Sequence, residues 1–145
     1  MLPSAQHYGL GVIPWSPLHG GLLSGVLRKQ ADGSAARSLT GRAGDALEKN
    51  RSTIEAWESW CAARDEDPAD VAIAWLLHQP AVTAPIIGPR TMHQLEGGLR
   101  ALEISLDANA LADLDICRSA PAPIKQYGEN ASFEAAQRVD QMLLI

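Results

Sequence analysis

VTAPIIGPRTMHQLEGGLRAL, residues 82–102, is the stretch whose reading decides the fold. It opens with a short apolar, partly β-branched run, Val82 to Ile87, which reads as a buried strand. Gly88-Pro89 breaks that strand, and Arg90 follows at once. Thr91 and Gln94 then have the spacing of a capping box and start a helix. Met92, Leu95, Leu99 and Leu102 recur at helical spacing and predict one apolar face for that helix.

The order strand, tight turn, Arg, capped helix has a chemical meaning. A helix start presents unpaired backbone N–H groups at the positive end of the dipole, so anions settle there. An Arg beside it adds a planar fork matched to phosphate oxygens. One reading is therefore a phosphate seat at the C-terminal end of a parallel strand. The other is an ordinary strand-to-helix turn whose Arg is solvated, and local chemistry alone leaves both open.

Working outward, the 145 residues suit one domain with a real core. With 46% hydrophobic and 20% charged residues the chain fits no disordered class. A formal net charge of -5 argues against nucleic acid as a partner, because no basic face supplies counterion release. No apolar run approaches a membrane span, and Met1-Leu2-Pro3 does not open a signal peptide. Cys61 and Cys117 fall in predicted helices without metal-ligand spacing, so reduced thiols in a cytoplasmic protein are expected.

Residues 2–8 read as a helix end stopped by Gly9, and Leu10 to Trp15 as the first strand, with Pro14 awkwardly inside it. Ser16 to Gly25 is a turn, and Val26 to Asn50 reads as a long loop without a period. A helix over about 53–63 turns Ile54, Trp57, Trp60 and Cys61 to one side. Asp67 caps the next, with Pro68 at its first position and Val71, Ala72, Trp75 and Leu76 inward. After the helix at 91–102, Asp107 caps another that carries Leu111, Leu114 and Cys117 and is closed by Pro121 and Pro123. The tail has Phe133, Ala136, Val139 and Leu143 at weakly helical spacing. The expected class is thus α/β, with two parallel strands joined through helices in a right-handed unit. Two strands cannot cover this much apolar helix surface, and both would have open edges. The rest of the sheet belongs to another chain or to a larger fold.

Two motifs now stand together. Trp15-Ser16-Pro17-Leu18-His19-Gly20-Gly21-Leu22-Leu23-Ser24-Gly25 resembles the strand-7 segment of aldo-keto reductases, and Ile86-Ile87-Gly88-Pro89-Arg90-Thr91-Met92-His93-Gln94-Leu95 resembles their strand-8 segment. Asp70 to Leu77 between them looks like the family's helix before strand 8. The resemblance covers residues 2–118. It implies the C-terminal part, over 1–120, of an incomplete (β/α)8 TIM barrel, followed by a divergent tail at 121–145. It further implies NADP(H) as cofactor, with an aldehyde or ketone as substrate of the complete fold. Trp15 would stack on the nicotinamide, and Ser16, Pro17, Leu18 and Gly20 would follow the pyrophosphate. Gly88 would belong to the same cofactor site, Arg90 would grip the 2′-phosphate, and Gln94 would help hold the adenosine end. The 26–50 segment corresponds to the loop that folds over cofactor or substrate.

Departures from the family pattern are equally informative. Family members often carry Glu and Asn, which bind the adenine, where this chain has Gly97 and Gly98. The family's catalytic Tyr, Lys, Asp and His come from earlier strands, and none can be placed here. Tyr8 and Tyr127 have no such neighbours in sequence and read as packing or surface residues. No catalytic residue is therefore assigned, and the isolated chain is expected to be inactive, associating with itself or with an N-terminal half. A redox-sensing regulatory subunit that binds nucleotide, or a truncated product without function, are the other readings. His19 and His93 read as solvated, His7 and His78 lack ligand spacing, and no metal site is expected.

Overall fold

The computed structural model describes residues 2–33 and 42–119, and in the second span the side chains of 44–114. The predicted tail helix, the proline stop at 121–123 that closes the helix before it, Tyr127 and the Cys117 side chain lie outside the described residues. The element order is α1 (Leu2–His7), a single 3₁₀ turn (His19–Gly21), α2 (Val26–Ala31), α3 (Arg42–Lys49), α4 (Arg51–Ala62), α5 (Pro68–Leu77), α6 (Met92–Arg100) and α7 (Ala108–Ser119).

The helix starts follow the sequence signals. Asp67 Oδ1 accepts from the Ala69 N–H at 2.9 Å with Pro68 behind it, and α5 begins there. Thr91 Oγ1 accepts from the Gln94 N–H at 3.2 Å and opens α6. Asp107 Oδ1 accepts from the Ala110 N–H at 2.7 Å and opens α7. Every residue of α5 from Val71 to Leu76 is buried, as expected for a helix apolar nearly all round. The main core forms where α5 meets Trp57 and Cys61 of α4, and Leu106, Ala110 and Leu114 at the start of α7. A second cluster joins Leu22, Val26, Leu47 and Ile54, with Leu23 packed against both. Leu76 is fully buried. Leu76→Ala is expected to lower stability by about 2–5 kcal/mol, read as a fall in the urea midpoint at unchanged slope.

Three expectations need correction. The two predicted strands do not form among the described residues. Segments 12–15 and 82–86 run parallel and meet at two isolated bridges, Val12 opposite Val82 and Trp15 opposite Ile86. The Val12 N–H donates to Ala81 O at 2.9 Å, Thr83 N–H to Val12 O at 2.8 Å, and Ile86 N–H to Pro14 O at 2.8 Å. The spacing between bridges is one residue longer on the 82–86 side, which breaks the register in the manner of a bulge. Pro14 and Pro85, one on each segment, have no N–H to give, so a continuous ladder cannot close.

The 26–50 segment is not one long loop, since it contains α2 and α3. The start of α2 has no local cap, because Gly25 precedes it in the left-handed region. Instead Glu58 of α4 reaches across, accepting from Leu27 N–H at 2.8 Å through Oε1 and from Arg28 N–H at 3.0 Å through Oε2. A cap supplied from 30 residues away leaves no local signature.

The predicted apolar face of α6 is not its packed face. Met92, Leu99 and Leu102 are 67%, 55% and 68% exposed, while Gly97 and Gly98 are buried. A Cβ at position 97 would stand 2.5 Å from Asp70 Oδ1, and one at 98 would stand 2.9 Å from Ile87 Cδ1. α6 approaches α5 through Gly97, set against Asp70, and Met92, Leu99 and Leu102 have no cover among the described residues. Trp60 packs against the main core from its edge. It is half-buried at the α4–α7 seam, where its Nε1–H donates to Asp113 at 3.4 Å and Arg64 lies 3.8 Å above its ring.

Candidate functional site

The bridge between Trp15 and Ile86 brings the ends of both motifs together. Trp15 closes the first segment with its side chain 60% exposed, whereas Trp57 and Trp75 are buried. An indole left in water at the end of a packed segment is available for stacking.

After Trp15 the backbone turns sharply. Ser16 has φ 56° and His19 φ 47°, both in the left-handed region that L side chains rarely enter. Ser16 O accepts from the His19 N–H at 2.9 Å across Pro17 and Leu18, and Leu18 at φ −100°, ψ 12° completes a type I turn with Pro17 at its second position. Pro17 is buried and Leu18 packs against the main core, which pins the turn. Gly20 follows at φ 66° with open space where a Cβ would stand, so its requirement is conformational rather than steric. The turn is closed on itself, since the N–H groups of His19, Gly21 and Leu22 donate to Ser16 O, Leu18 O and His19 O at 2.9, 2.9 and 3.3 Å.

A cation missed in the sequence joins this turn. Lys29, on α2, donates through Nζ to Ser24 O and, at 3.1 Å, to Ser24 Oγ. Ser24 Oγ in turn donates to Gly21 O at 2.7 Å. Its position became legible only once α2 was seen, since residues 26–31 read as loop.

The second motif supplies the other half. Gly88 and Pro89 are exposed, and so are Arg90 and Gln94. The Gln94 carboxamide oxygen accepts from the Arg90 backbone N–H at 2.8 Å, one residue before the cap residue Thr91, whose Oγ1 accepts from the Gln94 N–H. Gln94 is thus partly committed to holding the turn that carries Arg90, and its amide N–H₂ remains a donor. Arg28, Arg51, Arg64 and Arg100 form ion pairs, whereas the Arg90 guanidinium enters none among the described residues. The first-turn N–H groups of Met92 and His93 likewise meet no acceptor among the described residues. A cation beside unpaired helix-start amides is the arrangement expected of an anion seat.

Gly97 and Gly98, the positions where adenine-binding side chains were expected to be lost, face α5 and Ile87 rather than solvent. Their identity has a packing cause. Among the described residues no cluster of His, Cys, Asp and Glu could hold a metal ion, and no helix is long and apolar enough to cross a membrane.

Comparison with known proteins gives these features a context. Residues 1–119 match the sequence profile of the Aldo/keto reductase family. An uncharacterized oxidoreductase, YrpG of Bacillus subtilis (strain 168), is 46% identical over 115 residues, which is 79% of this chain and 34% of that protein. A probable aldo-keto reductase 1 of Glycine max is 27% identical over 116 residues, covering 79% of this chain and 34% of its own length. The L-glyceraldehyde 3-phosphate reductase of Escherichia coli (strain K12) is 29% identical over 124 residues, with 79% and 35% covered. The chain thus spans about a third of the length of these relatives.

Proposed function

The chain belongs to the aldo/keto reductase family, and from that premise we propose that it is the C-terminal, cofactor-binding portion of an NADP(H)-dependent carbonyl reductase. In this reading residues 1–120 are part of a (β/α)8 barrel and 121–145 a divergent tail. The observation that carries it is the parallel bridge at Trp15 and Ile86, which sets an exposed indole and the segment leading to Arg90 side by side.

When bound, NADPH supplies a hydride to the carbonyl carbon of an aldehyde or ketone. Trp15 offers a flat face for the nicotinamide. The backbone of Ser16, Pro17, Leu18 and Gly20 is held open for close approach by the pyrophosphate, and Gly88 turns the chain away from it. Arg90 has its guanidinium available for the 2′-phosphate, and Gln94 keeps a donor for the adenosine end. No residue of this chain is assigned as proton donor, so the Tyr and its partners come from the remaining strands of the barrel. Those strands would also cover Leu10, Ile13, Ile86, Met92, Leu99 and Leu102, all of them exposed.

A fluorescence titration tests the reading. NADPH is expected to quench tryptophan emission saturably, and Trp15→Phe to abolish most of that quench while leaving the emission of the buried Trp57 and Trp75 in place. No saturable quench, or the same quench in Trp15→Phe, sinks the proposed seat.

A further inference from the structure

We propose that His78 is a proton-released latch that fastens the start of α7 to the C-terminus of α5. Its ring makes two hydrogen bonds that together fix its state. Nδ1 lies 2.8 Å from Ala74 O, and the Leu106 N–H donates to Nε2 at 3.2 Å. A carbonyl only accepts and an amide only donates, so both bonds exist only for a neutral ring protonated at Nδ1. No part of the proposed cofactor seat takes part in this contact.

A second proton acts on the two bonds unequally. The bond to Ala74 survives, and a cation there sits favourably at the end of α5, where His78 is the cap residue. The bond to Leu106 does not survive, because a donor then faces a donor. The ring therefore stays on α5 and releases the connector. Charged groups on the packed elements do not replace the lost contact. On the connector, Glu103 is exposed and Asp107 accepts from the Ala110 N–H. On α6, Arg100 is tied to Asp70 of α5, and on α7, Asp113 is engaged by Arg64 and Trp60. Leu106 itself is buried, and with Ala110 and Leu114 it closes the main core. Protonation of the ring would thus loosen the connector that leads into α7 while α5 keeps its place.

Amide hydrogen exchange on the intact chain, read by NMR at about pH 7.5 and about pH 5, tests the latch. The protection factor of the Leu106 amide, corrected for intrinsic exchange, should fall by about three- to tenfold in acid, the loss of one hydrogen bond. The Leu95 amide, which donates to Thr91 O, should not change. His78→Gln presents a carboxamide oxygen that accepts without titrating, and its Leu106 protection should be independent of pH. Unchanged protection in the wild type, or an equal fall in His78→Gln, overturns the proposal. If His78→Gln does not fold, the ring nitrogen shifts of the wild type decide. An Nδ1–H tautomer with a Leu106 amide shift that titrates alongside the ring supports the latch. An Nε2–H tautomer, or an amide shift that ignores the ring, refutes it.

Discussion

Arg90→Ala is expected to weaken binding of NADPH by about ten- to a hundredfold, the worth of one or two charge-assisted hydrogen bonds to a phosphate. NADH, which has no 2′-phosphate, should lose no more than about twofold. The expectation rests on a guanidinium that is exposed and enters no ion pair among the described residues, so binding breaks no existing bridge. Its backbone is held in place by Gln94, which accepts from its N–H at 2.8 Å, and Ala leaves that bond intact. The substitution should therefore change affinity without changing stability. Arg90→Lys should fall between, since it keeps the charge and loses the fork. Paired titrations with both nucleotides, at one fixed salt concentration, measure the difference. Equal losses for NADPH and NADH would remove Arg90 from the 2′-phosphate.

The second large effect concerns Gly97. Placing there the Glu that the family resemblance implies is expected to destabilise the chain by about 3 kcal/mol or more rather than to tighten cofactor binding. The Cβ alone would stand 2.5 Å from Asp70 Oδ1. Asp70 is buried and cannot simply rotate aside, because its Oδ2 accepts from Arg100 at 2.7 Å and 3.1 Å. That hydrogen bond, and then the carboxylate's charge, raise the Arg100 pKa above its ordinary value. A second carboxylate at this seam adds repulsion to overlap. Gly97→Ala should cost less, since Ala regains about 1 kcal/mol of helix propensity. The double variant Asp70→Ala, Gly97→Glu should recover a measurable part of the loss, which a double-mutant cycle in urea reads as coupling. Additive losses, or a Gly97→Glu chain as stable as the wild type, would show that α5 and α6 do not meet through this contact.

These two sites mark how far the sequence could be read. The α5 and α6 starts were legible because Asp67 and Thr91 cap within three residues, and α5 because an all-apolar helix has to be buried. The parallel approach of the two motifs was legible, but not their failure to form strands, which depends on a one-residue slip in register between them. Periodicity placed Met92, Leu99 and Leu102 on one face correctly, yet it carries no information on whether anything lies opposite. The close approach was made instead by Gly97 and Gly98, which a pattern of apolar side chains does not score. At the candidate seat, Trp15, Ser16, Pro17 and Arg90 were named from the family resemblance. Lys29 was not, because the helix that carries it owes its start to Glu58, a residue no local window includes.

That distant carboxylate also sets an order of events. A six-residue helix with no cap of its own cannot nucleate alone in water. During synthesis, residues 26–31 leave the ribosome some thirty positions before Glu58 does, and their first amides stay solvated over that interval. Only when α4 has emerged and coiled can the earlier turn set. The piece of chain made first is therefore the one that waits.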